Sequence, residues 1–170
     1  MINAGRFIGA LAASVVLAWA TTGSASRERS ESVVVRRLNP EMMHRNPAFT
    51  QAITVDGPHR VVYIGGQNAV DASGNIVGKG DIAAQCEQVA RNLETVLSAA
   101  GATIEDVVKW NIYVLHGQSA GPAFGVFQRR WGKLPPPTIS VIYVAGLAHP
   151  DFLIEIDGIA VVAQDPGPRR

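Results

Sequence analysis

The sequence predicts a two-layer α+β domain, with a mixed β-sheet and two helices packed on one of its faces. Three observations carry that prediction. Strand-like and helix-like segments follow one another in the order β-β-β-α-β-α-β-β. Asp81 to Ala100 is a long amphipathic stretch in which Ile82, Cys86, Val89, Ala90, Leu93, Val96 and Leu97 recur at helical spacing. Phe152 to Val162 alternates instead, setting Ile154, Ile156 and Ile159 against Glu155 and Asp157, as a half-buried strand does.

The elements follow in order. Ser32 to Arg37 has the β-branched run of a short edge strand. Gln51 to Val55 and Arg60 to Ile64 flank Asp56-Gly57-Pro58-His59, a turn sequence that predicts a hairpin. Gly65, Gly66 and Gln67 end the second of these strands, and paired glycines permit close approach of another group. Asp81 is placed to cap the long helix and Gly101 to stop it. Thr103 and Asp106 have capping-box spacing over a single turn. Val107 to Leu115 is a strand, Pro122 to Trp131 a second helix, and Pro135 to Pro137 a stiff extended connector. Ile139 to Val144 and Phe152 to Val162 are the last strands, with Gly158 as a candidate bulge. The sheet face away from the helices is apolar in part, which calls for an oligomeric partner.

A chain of 170 residues, 47% hydrophobic and 17% charged, suits one globular domain with a full core. A net charge of +1 gives no global reason to expect nucleic acid or an acidic surface as partner. Residues 1–25 have the layout of a secretory signal: Arg6, an apolar run from Phe7 to Ala20, then small residues ending at Ala25. Cleavage there predicts an exported, periplasmic protein without stable membrane association. An uncleaved anchor, or a start at Met42 or Met43, is the competing reading. Residues 26–36 are then a flexible leader and first edge strand, 37–163 the folded domain, and 164–170 a disordered tail.

Several residues carry possible chemistry. Gly117-Gln118-Ser119-Ala120-Gly121 matches the G-x-S-x-G nucleophile elbow of serine hydrolases. That fold orders its triad serine, acid, histidine, yet no acid lies between Ser119 and His149. A loop serine that caps the following helix is the favoured reading. His44, His59, His116 and His149 fall in expected loops without the i, i+4 spacing of a helical metal site. Cys86, the only cysteine, lies on the apolar side of a helix and suits an inert buried thiol. Arg129, Arg130 and Trp131 make a small basic–aromatic cluster, better explained as a solvated helix face over a core tryptophan. Glu155 and Asp157 share one sheet face, where two carboxylates can do acid–base work or simply meet solvent.

The run from Gly65 to Leu115, "GGQNAVDASGNIVGKGDIAAQCEQVARNLETVLSAAGATIEDVVKWNIYVL", resembles the Rid family, also called YjgF or L-PSP endoribonuclease. The closing "FLIEIDGIAVVA" resembles that family's last strand, so the likeness runs from Arg37 to Ala163. It implies a chorismate-mutase-like fold and a homotrimer with clefts between subunits. It also implies hydrolysis of reactive enamines and imines to ketoacids or ketones and ammonia, with no metal or cofactor. On this alignment Glu155 falls at the family's catalytic glutamate, and Gly66 and Gln67 at its Gly-Gln pair. Ile139 falls where the family has a carboxylate-binding arginine, Phe49 at a cleft tyrosine, and Phe124 at or near a polar asparagine. With Val141 these residues outline a more apolar cleft that lacks its cation. The expectation is a small-molecule-binding, divergent member whose arginine-dependent 2-iminoacid deamination is doubtful. The alternative is a working enamine/imine deaminase built on Glu155. Ribonuclease activity, suggested by the family's older name, would need a basic cleft that the sequence does not offer.

Overall fold

The computed structural model of the chain describes residues 32–164. Six strands and two helices appear in the expected order: β1 Val34–Leu38, β2 Ala52–Asp56, β3 His59–Gln67, α1 Ile82–Ala99, β4 Val107–Leu115, α2 Ala120–Trp131, β5 Thr138–Val144 and β6 Ile154–Ala163. Four strands form the main sheet in the order β3-β6-β4-β5. β6 pairs antiparallel with both neighbours, and β4 pairs parallel with β5. A parallel pair cannot be closed by a tight turn, and α2 supplies the crossover. The signal-like residues 1–25 and all of the tail except Gln164 lie outside the described residues. No helix among the described residues is long and apolar enough to cross a membrane.

The core lies between the sheet and the helices. Cys86, Val89, Leu93 and Leu97 of α1 are fully buried at helical spacing, against Ile154, Ile156 and Ala160 of β6. Strand alternation turns Glu155, Asp157 and Ile159 to the other face, where they are half-buried. Ile159 was expected beside Ile154 and Ile156, but the alternation runs unbroken through Gly158, which takes the inward position and leaves Ile159 on the other face. Burial pushes the Cys86 thiol up to about 12, so it stays protonated and inert, as the sequence suggested.

Three further expectations do not hold. Asp56 to His59 does not close a hairpin: β2 pairs with β1 from Val34↔Asp56 to Leu38↔Ala52, while β3 pairs with β6. The turn instead passes the chain between sheets. Gly57 there has φ +85°, and a Cβ on it would come 2.7 Å from the Ser32 carbonyl oxygen. The longer apolar ladder offered by β6 outcompetes the short β2 as partner for β3. Gly158 is likewise not in a bulge. It pairs with Ile64 and Trp110, and the register shifts fall in the neighbours, between Ile64 and Gln67 and between Val107 and Lys109. Gly158 is needed because any Cβ there would overlap the Trp110 ring. His59, expected in a loop, begins β3.

Local signals place the helix ends. The Asp81 carboxylate accepts from the Ala83 and Ala84 amides at 2.9 and 3.1 Å. Thr103 and Asp106 form the expected capping box over the 3₁₀ turn Ile104–Asp106. Ser119 caps α2 by accepting from the Gly121 amide at 3.3 Å, which starts that helix two residues before Pro122. α2 is tied to α1 by Arg130, which reaches Glu94 at 2.6 Å and Glu87 at 3.3 Å. Trp131 Nε1 also donates to Glu94 at 3.0 Å.

Gln85 is a fully buried polar side chain of α1 and serves as an internal latch. Its Nε2 donates to Asp151 O at 2.7 Å and Gly78 O at 3.2 Å, and its Oε1 accepts from Leu153 N at 2.8 Å. It thus fixes the entry to β6 and the approach to α1 together. Replacing it with leucine leaves the buried Leu153 amide and the part-buried Asp151 and Gly78 carbonyls without their partner, and a buried unpaired group costs about 1–3 kcal/mol. Gln85→Leu should therefore lower unfolding stability in a urea titration by about 2–4 kcal/mol. Gly158→Ala should cost about 1–3 kcal/mol by overpacking against Trp110. A midpoint unchanged in either variant contradicts the corresponding role.

Candidate functional site

An apolar pocket of about 190 Å³ opens between α2, the helix-side face of β4 and β5, and two loops. Its floor is Trp110, Ile112, Ile139 and Ile156, and Phe127 and Trp131 form a wall. Phe49, preceded by Pro47 and Ala48, closes one side, and Pro135 to Pro137 close another. Phe124 and Val141, 49% and 51% exposed, stand at the rim. Among the described residues no charged side chain lines the pocket, and Gln128 brings its one side-chain amide.

The geometry follows from local chemistry. The connector Pro135 to Pro137 offers carbonyls without a ladder to join, and Arg37 of β1 and Thr50, just before β2, use them. Thr50 donates from its hydroxyl to Pro136 O at 2.7 Å and from its amide to Pro137 O at 2.9 Å. Arg37 Nε reaches Pro136 O at 3.4 Å. These bonds draw Phe49 over the pocket. The aromatic wall is held by stacking: Phe127 and Trp131 have ring centroids 5.1 Å apart at 18°, and Trp110 and Trp131 lie 6.3 Å apart at 20°.

A second cluster lies on the opposite sheet face and near the opposite edge. Glu155 Oε2 accepts from Asn68 Nδ2 at 3.0 Å. Its other oxygen sits over Gly66 so closely that any Cβ there would overlap it. Asn92 of α1 holds the loop after β3 by donating to the Asn68 and Val70 carbonyls, both at 2.9 Å. Gln88 Nε2 supports Asn92 at 2.8 Å. The Gln67 amide donates to Gly65 O at 3.1 Å and makes no bond to Glu155. Asp157 shares the face of Glu155 but has separate partners, Asn111 Nδ2 at 2.8 Å and the Tyr113 hydroxyl at 2.9 Å. Lys109 Nζ donates to Ser140 Oγ at 2.7 Å beside them.

The residues singled out in the sequence therefore divide. Phe49, Phe124, Ile139 and Val141 meet in the apolar pocket, whereas Gly66, Gln67 and Glu155 gather across the sheet. Strand order keeps them apart, with β5 at one edge and β3 at the other. Ser119 is a helix cap, and among the described residues no histidine bonds its hydroxyl. Arg129, Arg130 and Trp131 are absorbed by the α1–α2 contact with Glu87 and Glu94. No three histidines, cysteines or carboxylates among the described residues converge as metal ligands do. The sequence reading missed Asn68 and Asn92. Asn68 follows directly on Gly-Gly-Gln, yet nothing in its spacing says that it faces Glu155.

Residues 35–162 match the family model described as endoribonuclease L-PSP. A Yersinia pestis protein of the conserved Rid family, YyfB, is 37% identical in its crystal structure, with a TM-score of 0.68 over 75% of this chain and 98% of that one. A RutC family protein of Pyrococcus horikoshii is 33% identical over 66% of this chain and 85% of its own. A 2-iminobutanoate/2-iminopropanoate deaminase of Dermatophagoides farinae is 30% identical over 67% of this chain and 85% of its own.

The hydrogen bond to Asp157, aided by desolvation and the neighbouring carboxylates, holds the Tyr113 phenol above the ordinary tyrosine value. A folded pKa above the unfolded one means that this bond stabilises the fold up to about pH 10. The contribution is then lost as pH rises through the folded value. In an alkaline absorbance titration, Tyr113→Phe should remove the phenol that ionises above that ordinary value. A high-pH phase that persists unchanged in the variant contradicts the assignment.

Proposed function

The chain belongs to the endoribonuclease L-PSP family, also called Rid or YjgF, and on that premise we propose that it is an exported homotrimer that binds a small uncharged metabolite between subunits. The observation that carries this reading is the division of the candidate residues over two sheet faces and two sheet edges. One chain cannot close a site from both halves, whereas a neighbouring copy can present its Glu155 half to the pocket of the next. The apolar side chains on the face away from the helices fit burial against such copies. Tyr63, 81% exposed, is the largest of them.

In this reading Ile139 stands where relatives carry a carboxylate-binding arginine. A hydrogen bond to a charged group contributes about 1.5–3 kcal/mol, and a bidentate pair more. Its loss weakens carboxylate binding by roughly tens to hundreds of fold. The ionised carboxylate of a 2-iminoacid would moreover lie against isoleucine, tryptophan and proline, with no cation to offset its desolvation. The function that fits is binding of an uncharged molecule.

Enamine/imine deamination is the second reading, favoured by the placement of Glu155. Its carboxylate is held by Asn68 and lies against the Gly66 backbone. There it can orient a water for addition across C=N, and collapse of the adduct yields a carbonyl compound and ammonia. A ribonuclease would need cations along the cleft, and none of the described residues lining the pocket is one.

Ammonia release from 2-iminobutanoate distinguishes the two readings. The purified protein should stay near the buffer rate, and Ile139→Arg should raise the rate by roughly tenfold or more if Glu155 is competent. Turnover well above buffer by the unaltered protein overturns the first reading. A Glu155→Gln variant that keeps such turnover overturns the second.

A further inference from the structure

We propose that the pocket beneath α2 is a binding site for a neutral, single-ring aromatic molecule, whose one polar group meets the amide of Gln128. The proposal rests on reading this pocket as the ligand-holding half of the cleft and names the chemistry that half selects.

Size comes first. The cavity is about 190 Å³, and an apolar protein cavity of about 150 Å³ is enough to hold benzene. The space thus suits one ring with a short substituent. Shape comes second. Phe127 and Trp131 stack at 18° and Trp131 and Trp110 at 20°, so the wall is a layered set of nearly parallel rings. A flat ring extends such a layer, whereas a branched aliphatic chain of equal volume does not. The rings and the proline connector are already ordered by the stack, by Trp131 Nε1 on Glu94 and by Thr50 on Pro136 and Pro137. Binding therefore costs little ordering entropy in the protein.

Charge comes third. Among the described residues no acidic or basic side chain lines the space, and Arg37, which bonds a lining residue, spends its Nε on the Pro136 carbonyl. An anion or cation would be desolvated without a partner. Gln128 is exposed beside the pocket mouth, and its side-chain amide makes no hydrogen bond among the described residues. An amide is both donor and acceptor, so it can serve a neutral carbonyl, hydroxyl or carboxamide on the ring.

Benzamide, benzoate and benzylamine are matched probes, with one ring and similar size but neutral, negative and positive groups. Binding to the purified full chain can be followed by the indole N–H signals of Trp110 and Trp131 in nitrogen-labelled protein. Benzamide should shift both signals and saturate at one site per chain, with benzoate and benzylamine at least tenfold weaker. Gln128→Leu, an exposed substitution, should weaken benzamide about fivefold and leave toluene binding unchanged. Ile139→Arg should reverse the order and favour benzoate. Equal binding of benzamide and benzoate by the unaltered protein overturns the proposal. So does the absence of any shift with every probe, which would mean that a second copy fills the space. Toluene binding that falls with benzamide in Gln128→Leu also overturns the assigned polar contact. Ring binding without trimer formation would sink the intersubunit reading alone, and trimer formation without ring binding would sink this proposal alone.

Discussion

The two-sidedness of β6 is the constraint on which the rest of the molecule depends. This strand lies between β3 and β4, and each of its faces has a different task. Ile154, Ile156 and Ala160 turn inward and are buried under the helices, while Glu155 and Asp157 turn to the other side. A slip of one residue would bury two carboxylates and expose the isoleucines, so register is strongly enforced. Gln85 adds a local clamp at Asp151 and Leu153, just before the strand begins. Gly158 then leaves the space into which Trp110 packs, and Trp110 supports the aromatic layer above it.

From this constraint the division of the site follows. Whatever faces the helices from β4 and β5 can join the apolar pocket, and whatever β6 presents on its polar side cannot. α2 crosses from β4 to β5, which lays Phe127 and Trp131 over Ile139 and completes the pocket within one chain. The loop after β3, pinned by Asn92, brings Asn68 and Gly66 to Glu155 on the other side. The pocket supplies shape and an apolar environment, and the Glu155 cluster supplies a proton-accepting group. The proposed function requires a second copy to join them. The proposed ligand class depends on the pocket alone.

Much of the fold was legible where one short-range signal decided the outcome. The periodicity of α1, its Asp81 cap, the Thr103–Asp106 box and the inert Cys86 all rest on spacing within a few residues. Ser119 belongs with them: the G-x-S-x-G match gave way to capping because no acid precedes His149 in the required order. Long-range competition was not legible. The Asp56–His59 turn has good hairpin chemistry, but β3 finds a longer partner in β6 and β2 is left to β1. Gly158 suggested a bulge because a strand glycine is locally ambiguous, and its reason is the Trp110 ring on a neighbouring strand. The pocket residues were found only through family likeness, since nothing local marks Phe49 and Ile139 as neighbours. Asn68 and Asn92 escaped because their partners lie 87 and 24 residues away in sequence.

The central claim is that each site is built from two copies, the apolar pocket of one facing the Glu155 cluster of the next. A crystal structure of the purified oligomer tests it most directly, through the separation between the Glu155 carboxylate of one copy and the Ile139 side of the pocket in its neighbour. The account predicts a threefold assembly in which a single small molecule can touch both. A monomer, or an assembly that leaves Glu155 facing solvent away from any pocket, would contradict it.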